Sequence, residues 1–563
     1  MGSDRLAAQV TRRSLIKGTA VVAGGFVAAG ALAACAPTAS APAATAKPSA
    51  TGQPSAAGQP SAAAGQPRKG GTLIIATGDG LVPDLSFGNA FGPQALSFVQ
   101  FVWPLFRTKP GSFDIINALA EGYAPSTDRL SHKVTLRAGL TFHDGSPLDA
   151  AAVAANLKAA FNTNDPLRGS GAYQMIPTFF GGFPGNFKSV EVNDARNLTI
   201  NLTTPRADLR GALCYIDIVN PKVMAANPKG YGTDVALLKN AGSGPFRVSD
   251  FSPGQFVEFT RVNGFFEEAY LDKLRLQQVA DPSARYLALK GGQANVVTGL
   301  SRADYEAASK DPAYRTHLSN PGGTVFMAFN GSKNEILRTN RDVREAIVRA
   351  MNRPAYVESF YPKGLAVVAT QVALAPGTPG FNPDLKALPY DVDGAKKLLE
   401  KAGVKSLALT MIDPPAFGGA SELKSQMEAI AADLGKVGIT VETKLTDLAG
   451  YLAGTKDYDI NVTVYGNSGN DIGVASLYFR RPPTTYQAPA DPRYATLLAE
   501  AEVALDLSTQ NAKLKQLMQI ATENVAGAPI AHLAVAAVSV AKVHDISMTA
   551  SPLDPQHRAW IEA

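Results

Sequence analysis

The sequence predicts an α/β protein with at least two lobes. Of its 563 residues, roughly 490 follow a low-complexity N-terminal region, which is more than one hydrophobic core usually supports. Residues 73–76 form a short apolar run that ends in glycine-rich turn residues, as buried strands do. Residues 390–403 place apolar side chains on one face and end at Gly403, which indicates an amphipathic helix.

An N-terminal targeting segment precedes this body. Arg12 and Arg13 form a twin-arginine pair, an apolar Gly/Ala-rich stretch follows, and the sequence LAAC ends at Cys35. A basic region, an apolar region and small residues before a cleavage position are typical of a signal peptide. The stretch is too short and too weakly apolar for a transmembrane helix. It resembles a Tat lipoprotein signal, with residues 1–34 removed and Cys35 lipidated. The alternative is an uncleaved anchor with an ordinary cysteine.

Residues 36–67 predict a flexible tether. Ala, Pro, Ser, Gly and Gln dominate, with a GQPSAA repeat and no periodic apolar face, so the segment cannot bury enough surface to offset the entropy of ordering. Residues 35–67 are therefore interpreted as a lipidated cysteine and linker of an exported protein. Because one acyl chain binds a membrane weakly, stable attachment needs more than one.

The charge distribution argues against a nucleic-acid partner. The chain carries +5, but residues 1–34 hold a net +3, and Lys47, Arg68 and Lys69 add three further charges without an acid. The body from Gly70 onward is therefore near −1, and no basic patch remains to bind phosphates.

Cysteine usage also limits the chemistry. The chain has 2 cysteines, and with Cys35 assigned to the signal, Cys214 has no partner for an intrachain disulfide. Cys214 lies in the apolar segment GALCYIDIV. We therefore predict that it is a small buried apolar residue and not a nucleophile.

Three predicted elements follow the first strand. Residues 95–108 indicate a helix that is broken near Pro104. Residues 132–148 alternate apolar and polar side chains and predict a half-buried hairpin, closed by the turn DGSP at 144–147. Asp149 is then a candidate N-cap for the helix AAAVAANLKAAF.

His143 and Asp144 have the form of a catalytic pair, because a His–Asp couple activates the nucleophile of some hydrolases. However, Asp144 also stands where a turn needs a side chain that accepts backbone N–H groups, directly before Gly145. Neighbours along a strand face opposite ways, so we expect His143 on the wetter side of the strand. We therefore predict a structural turn.

The stretch LRAGLTFHDGSPLDAAAV at residues 136–153 is similar to the signature of the family 5 extracellular solute-binding proteins, in which the FHDG turn is structural. Further similar segments occupy residues 241–266, 271–297, 325–330, 341–364 and 390–403. Each segment alone is weak evidence, but their order and spacing match the family over most of the body.

The resemblance implies a two-lobed, periplasmic-binding-protein-like α/β fold of the large class, with an extra subdomain and a hinge between the lobes. Residues 68–280 with 535–563 would form the first lobe, and residues 281–534 the second. Such proteins are substrate-binding components of ABC importers. They enclose a solute, and the closed form then docks on a membrane permease. ATP hydrolysis belongs to separate ATPase subunits, so we expect no cofactor. We also expect a monomer that is lipid-anchored to the outer face of the cytoplasmic membrane or lies in the periplasm.

Two loops at strand ends are candidate ligand sites, because closure around a solute removes water and gives weight to polar groups in the cleft. The first loop follows the opening strand and offers Asp84, Phe87, Asn89 and Phe91. The second follows a predicted strand near residue 464 and offers Tyr465, Gly466, Asn467, Asn470 and Asp471.

The second loop bears on the solute class. Peptide-binding relatives carry an aspartate that holds the α-ammonium of the ligand, and Asn470 falls on that position. An amide lacks the charge that makes such a bond strong, so a dipeptide is disfavoured unless Asp471 takes the role through a one-residue shift. The alternative is that Asn467 and Asn470 serve turn geometry. Oligopeptide or peptide-like solutes, opines, oligosaccharides and nickel chelates stay open, since a fold does not determine function.

Enzyme motifs are incomplete. Residues 421–424 read SELK and residues 465–467 read YGN, but the Lys-Ser/Thr-Gly that completes the set in penicillin-binding enzymes is absent from the sequence. The 6 histidines show no metal-ligand spacing, and no phosphate loop or dinucleotide fingerprint occurs. We therefore expect a non-enzyme without a metal site. An exported serine hydrolase and a transporter-independent sensor or chaperone are the alternatives.

Overall fold

The computed structural model describes most of the body. It covers residues 66–78, 84–86, 88, 95–169, 171, 173, 175–413, 423–445, 457–466, 469, 471–479, 491–549 and 554–562. The expected signal peptide, Cys35 and the tether up to residue 65 lie outside the described residues. Within the described ranges, no helix combines the length and the apolar character needed to cross a membrane.

Strands and helices are interspersed along the described chain, with a short 3₁₀-helix at Tyr231–Thr233. The strands are β1 (Thr72–Thr77), β2 (Trp103–Pro104), β3 (Phe106–Thr108), β4 (Ile115–Asn117), β5 (Ala120–Pro125), β6 (Ser131–Leu136), β7 (Phe187–Val192), β8 (Asn197–Leu202), β9 (Asp217–Ile218), β10 (Phe246–Ser252), β11 (Phe256–Arg261), β12 (Lys273–Gln278), β13 (Val296–Thr298), β14 (Tyr314–Leu318), β15 (Gly323–Phe329), β16 (Ala366–Val368), β17 (Leu407–Asp413), β18 (Ile439–Leu445), β19 (Ile460–Gly466), β20 (Gly527–Leu533), β21 (Ala536–Val540), β22 (Val543–His544) and β23 (Trp560–Ile561). The helices are α1 (Ala95–Phe101), α2 (Ala150–Phe161), α3 (Met175–Phe180), α4 (Leu209–Leu213), α5 (Pro221–Ala226), α6 (Val235–Ala241), α7 (Pro282–Lys290), α8 (Arg302–Ala308), α9 (Glu335–Thr339), α10 (Arg341–Ala350), α11 (Arg353–Phe360), α12 (Val392–Lys401), α13 (Leu423–Gly435), α14 (Asp471–Phe479), α15 (Pro492–Glu502) and α16 (Leu507–Glu523).

A seven-stranded sheet has the order β10-β11-β12-β1-β13-β21-β14. The predicted first strand is confirmed as β1, which runs parallel to both β12 and β13. Its two faces are buried in different cores: Leu73 and Ile75 belong to one, and Ala76 to another. A strand covered on both sides needs a continuous apolar run, which explains why this segment does not alternate.

A six-stranded sheet has the order β16-β20-β15-β19-β17-β18. Its central strand β15 is buried along its whole length and is antiparallel to β19 and β20. Val325 and Met327 pack into the core on one face, whereas Phe326 packs into the core on the other. Helices on both faces of the sheet supply the opposing side chains, as in other α/β layers.

The chain changes sheets twice. It leaves the seven-stranded sheet after Leu318 and enters the six-stranded sheet at Gly323. It leaves the second sheet after Leu533 and re-enters the first at Ala536. The two short crossing segments therefore lie side by side between the sheets.

The sheets favour a different first boundary from the one predicted at residue 280. β13 and β14 lie beyond that residue, yet they pair with β1 and β21 in the seven-stranded sheet. Such short strands carry too little pattern to be assigned to a sheet from sequence. Residues 66–318 with 536–562 are called the first lobe below, and residues 323–533 the second lobe.

The predicted hairpin at residues 132–148 is wrong. β6 pairs with β5 and β8 in a four-stranded sheet of order β5-β6-β8-β7, and the DGSP turn closes only one bridge, between Thr141 and Pro147. Alternation indicates a half-buried strand but not its partner. The N-cap prediction is confirmed, because Asp149 Oδ1 accepts the Ala152 N–H at 2.9 Å.

His143 is buried, contrary to the prediction that it lies on the wetter side. It is 5% exposed, and its Nε2–H donates to the Gly244 carbonyl at 3.0 Å. Gly242 makes this possible, since a Cβ there would overlap the imidazole ring. Asp144 Oδ1 accepts the Ser146 N–H at 2.9 Å. The turn interpretation is therefore confirmed, and the two side chains have separate structural partners.

Candidate functional site

The structure describes four of the predicted ligand-site residues, namely Asp84, Tyr465, Gly466 and Asp471. The others, Phe87, Asn89, Phe91, Asn467 and Asn470, lie outside the described residues. Predictions about these five residues stay predictions. The strand ends and the described residues beside them form the candidate site.

Gly466 lies at the edge of the six-stranded sheet where the chain crosses between lobes. Gly466 pairs with Gly323 at the start of β15, and Gly323 pairs with Leu533 at the end of β20. The carboxyl end of β19 therefore lies beside both crossing segments. Because ligands of open α/β sheets bind beyond the carboxyl ends of strands, this edge is a candidate wall of the site.

On the first lobe, a buried arginine joins the carboxyl ends of three strands. Arg285 is 3% exposed, and its Nη1 donates to the carbonyls of Val279 at 2.7 Å and Ala280 at 2.9 Å. Its Nη2 donates to the Gly299 carbonyl after β13. Gly78 follows β1 and has no Cβ, which leaves the space that the Arg285 guanidinium occupies. Sequence reasoning missed Arg285, because an arginine within a helical segment gives no sign that its side chain binds carbonyl groups after several strands.

Phe113 brings the two lobes into contact. It lies between β3 and β4 of the first lobe, and its ring lies so close to Gly377 of the second lobe that an added Cβ would be 2.9 Å away. Its carbonyl oxygen lies against Gly469, where a Cβ would overlap it. Gly377 and Gly469 have φ of +89° and +94°, a region that glycine adopts readily. The lobes are therefore in direct contact beside the second candidate loop.

Asp471 supports the second lobe from within. It is 6% exposed at the first position of α14, and its Oδ2 accepts the backbone N–H of Gly380. A Cβ on Gly380 would lie 2.9 Å from that oxygen and 3.0 Å from Leu514. The carboxylate thus anchors residues 371–382 against α14. Its direct contact with a solute amine stays a prediction.

Tyr465 and Asp84 also have structural partners. The Tyr465 ring is 8% exposed and meets Phe326 edge to face, with ring centroids 5.0 Å apart. Asp84 Oδ1 accepts the Ser86 N–H at 2.7 Å, which is the turn role that aspartate often takes. Both side chains therefore have structural roles among the described residues.

Two residues that sequence reasoning missed have left-handed backbone conformations. Tyr173, just before α3 in the first lobe, has φ of +48°, and Ala373, in the second-lobe segment that Asp471 anchors, has φ of +64°. The Arg168 guanidinium lies 3.8 Å from the centroid of the Tyr173 ring. Strained non-glycine backbone is concentrated at ligand sites. Helix α3 lies against α14 of the second lobe, so Tyr173 lies near the contact between the lobes, whereas Ala373 is buried in the core of the second lobe.

A buried hydrogen bond links the lobes on this side. Arg206 and Asp208 form a two-point ion pair in the first lobe, with Nε–Oδ1 at 2.9 Å and Nη2–Oδ2 at 3.1 Å. Gln510 on α16 of the second lobe is 2% exposed and donates Nε2–H to Asp208 Oδ1 at 3.4 Å. The acceptor is the carboxylate of an ion pair, and charged acceptors make stronger hydrogen bonds.

We expect Gln510→Leu to increase the population of separated lobes. Leucine keeps the bulk of the side chain but removes a hydrogen bond to a carboxylate, which contributes about 1–2 kcal/mol at this length. Small-angle scattering should then report a larger radius of gyration than for the unchanged protein. Gln516→Leu, an exposed change on the same helix, is the control. An equal radius for both variants would show that Gln510 does not hold the lobes together.

The described residues offer little for catalysis. Cys214 is buried as predicted, and burial raises the pKa of its thiol to about 12, so the reactive thiolate is disfavoured. Ser421 lies outside the described residues, and Lys424 lies on α13. Among the residues that the structure describes, no three His, Cys, Asp or Glu side chains are grouped to hold a metal ion.

Comparison with known proteins agrees with this geometry. A family model described as bacterial extracellular solute-binding proteins, family 5 Middle, matches residues 114–531. Heme-binding protein A of Haemophilus influenzae is 24% identical over 488 residues, which cover 82% of this chain and 84% of that protein. Glutathione-binding protein GsiB of Salmonella paratyphi A is 28% identical over 315 residues, which cover 55% of this chain and 56%, just over half, of that protein.

A solved structure supports the fold. The periplasmic binding protein DppA of Helicobacter pylori, in complex with the peptide STSA, superposes with a TM-score of 0.77. The match covers 88% of this chain and 99% of that chain at 22% sequence identity. The predicted two-lobed periplasmic-binding-protein-like α/β fold is therefore confirmed.

Proposed function

The chain belongs to the bacterial extracellular solute-binding proteins of family 5, and we propose that it captures a solute between its lobes and delivers it to the permease of an ABC importer. The family match over residues 114–531 carries this proposal. Direct contact between Phe113 and two glycines of the second lobe supports enclosure of the solute. The members compared above are binding proteins, so the chemistry expected of this chain is binding and release.

The solute class that we propose is an oligopeptide or a peptide-like molecule. The glutathione-binding relative and the peptide complex of the structural neighbour support this class. Asn470 stands where peptide-binding relatives carry an aspartate, which argues for a solute that does not depend on a free amine at that point. Opines, oligosaccharides and nickel chelates are the competing solutes.

The proposed transport cycle uses the seam described above. A solute held beyond the carboxyl ends of β1 and β19 would stabilise contact between the lobes, because it interacts with both walls only when they are close. The closed form would then dock on the permease, while separate subunits hydrolyse ATP. The chain itself is proposed to act as a monomer without a cofactor.

Membrane attachment through Cys35 is a second part of the proposal. The twin-arginine pair, the LAAC sequence and the low-complexity tether support export by a Tat-like route and lipidation on the outer face of the membrane. Replacement of Cys35 by alanine should move the protein from the membrane fraction to the soluble fraction of the producing cells. If the variant fractionates like the unchanged protein, the lipid anchor is wrong.

Native mass spectrometry of the purified full-length chain, grown in peptide-rich medium, tests the function. A ladder of peptide masses released on denaturation would support the peptide class. A single non-peptide mass would overturn that class and identify the solute. A protein that is empty, and whose Tm does not change with peptides, sugars or nickel chelates, would overturn the transport proposal in favour of a sensor.

A further inference from the structure

A small cavity in the second lobe lies between α11, the segment before α12 and the start of β20. Its volume is about 20 Å³, whereas one water needs roughly 10–15 Å³. The polar side chains of its lining are Arg353, Thr370, Lys386 and Thr522, and apolar side chains complete the wall. All the lining residues belong to the second lobe, so this cavity is separate from the seam between the lobes.

Arg353 presents an unpaired donor in this lining. The side chain is 1% exposed, its Nη1 donates to the Pro529 carbonyl at 3.0 Å, and its Nη2 donates to the Leu388 carbonyl. Its Nε is buried without a hydrogen-bond partner, and so is the hydroxyl oxygen of Thr370. Buried polar atoms are nearly always paired with protein, water or an ion. Two of them in one cavity therefore indicate an occupant.

The sign of the charge indicates which occupant. Arg353 is a buried cation, Lys386 is an exposed one at the rim, and the lining includes no aspartate or glutamate. Burial lowers the pKa of Arg353 to about 10, as expected of a guanidinium that has lost water without gaining a carboxylate. The carbonyl partners share the charge as dipoles, but they do not neutralise it. A buried charge is costly unless it is paired.

We propose that this cavity binds one small monovalent inorganic anion of the halide class, held by the Arg353 Nε–H and the Thr370 hydroxyl and neutralised by Arg353 and Lys386. The small volume favours a halide over a larger polyatomic anion such as sulfate. Water fits the same space and is the competing occupant, but it leaves the charge of Arg353 uncompensated. An anion that binds only the folded lobe stabilises that lobe as its concentration rises.

Thermal unfolding of the full-length protein in different sodium salts tests this proposal. At equal ionic strength, chloride and bromide should raise the Tm by about 1–2 °C over gluconate, with saturation as the site fills. Thr370→Val and Lys386→Ala should each lose most of this difference, while Lys397→Ala, an exposed change on α12, should keep it. Variants of Arg353 are avoided, because loss of its carbonyl partners could unfold the lobe.

Diffraction from crystals grown in sodium bromide locates the ion. An anomalous peak between Arg353 and Thr370, absent in Thr370→Val, is the expected result. Electron density at this position without an anomalous difference peak would identify a water and overturn the proposal. Equal chloride effects on all variants would also overturn it, because they would reflect general salt effects. Neither measurement depends on the solute of the proposed transport function.

Discussion

Gly469→Ala is expected to abolish retention of the solute while leaving each lobe folded. A Cβ at this position would overlap the carbonyl oxygen of Phe113 in the other lobe, and φ of +94° is strained for any residue but glycine. The clash can be relieved by separation of the lobes. Overpacking of this kind costs about 1–3 kcal/mol, and only the closed form incurs it, so the Kd for the solute should rise roughly 10- to 100-fold.

The matched control for this change is Gly254→Ala. Gly254 lies in the turn between β10 and β11, has φ of +67°, and has nothing within 4 Å of an added Cβ. The Gly254→Ala variant therefore has the same kind of backbone strain but no clash with the other lobe. Native mass spectrometry should show solute on the Gly254 variant and little on the Gly469 variant. If both retain the solute equally, closure at Phe113 is not part of binding.

His532→Asn is expected to make stability less sensitive to acid. His532 is 2% exposed in the second lobe, and its Nε2 accepts the Thr370 N–H at 3.2 Å. The neutral ring then carries its proton on Nδ1, which donates to Thr324 at 3.1 Å. Burial lowers the pKa of the imidazole from 6.5 to about 3. The folded protein therefore holds this ring neutral where the unfolded chain protonates it.

The sign of the effect follows from proton uptake. Between pH 6.5 and 3 the unfolded chain binds a proton at His532 that the folded protein does not, so this residue lowers stability as the pH falls through that window. The free energy of unfolding lost through His532 amounts to about 2 kcal/mol at pH 5 and nothing above pH 7. Urea unfolding at both pH values, compared between the unchanged protein and His532→Asn, measures it.

A neutral buried amide supplies the control for the pH effect. Gln371→Asn changes a fully buried side chain of the same lobe that does not titrate, so its effect on unfolding free energy should be equal at pH 5 and pH 7. A loss of stability between pH 7 and pH 5 that is as large in His532→Asn as in the unchanged protein would contradict the assigned neutral state of His532.

Local elements were predictable because the physics that makes them is local. The apolar run at residues 73–76, the capping side chain of Asp149 and the positive φ at Gly403, which is +71°, depend on neighbours along the chain. The confirmed strand ending at Gly466 and the confirmed helix at residues 392–401 rest on the same kind of pattern. Burial of Cys214 followed from the apolar residues beside it.

Sequence by itself determined the class of this protein. The order of the family segments, the predicted export signal and the absence of a complete enzyme motif from the sequence led to a two-lobed α/β solute-binding protein, and the family and the fold are confirmed. Of the proposed ligand-site residues, sequence reasoning placed Gly466 at the correct strand end. It could not assign roles to Tyr465 and Asp471, because their buried partners are distant in the chain.

Only the tertiary structure decided which distant groups meet. The partner of β6, the burial of His143 against Gly244, and the sheet to which β13 and β14 belong all depend on contacts between segments far apart in sequence. The contacts of Phe113 with Gly377 and Gly469 likewise join different lobes. A sequence pattern records what each segment buries, whereas the partner that covers it is selected by packing of the whole chain.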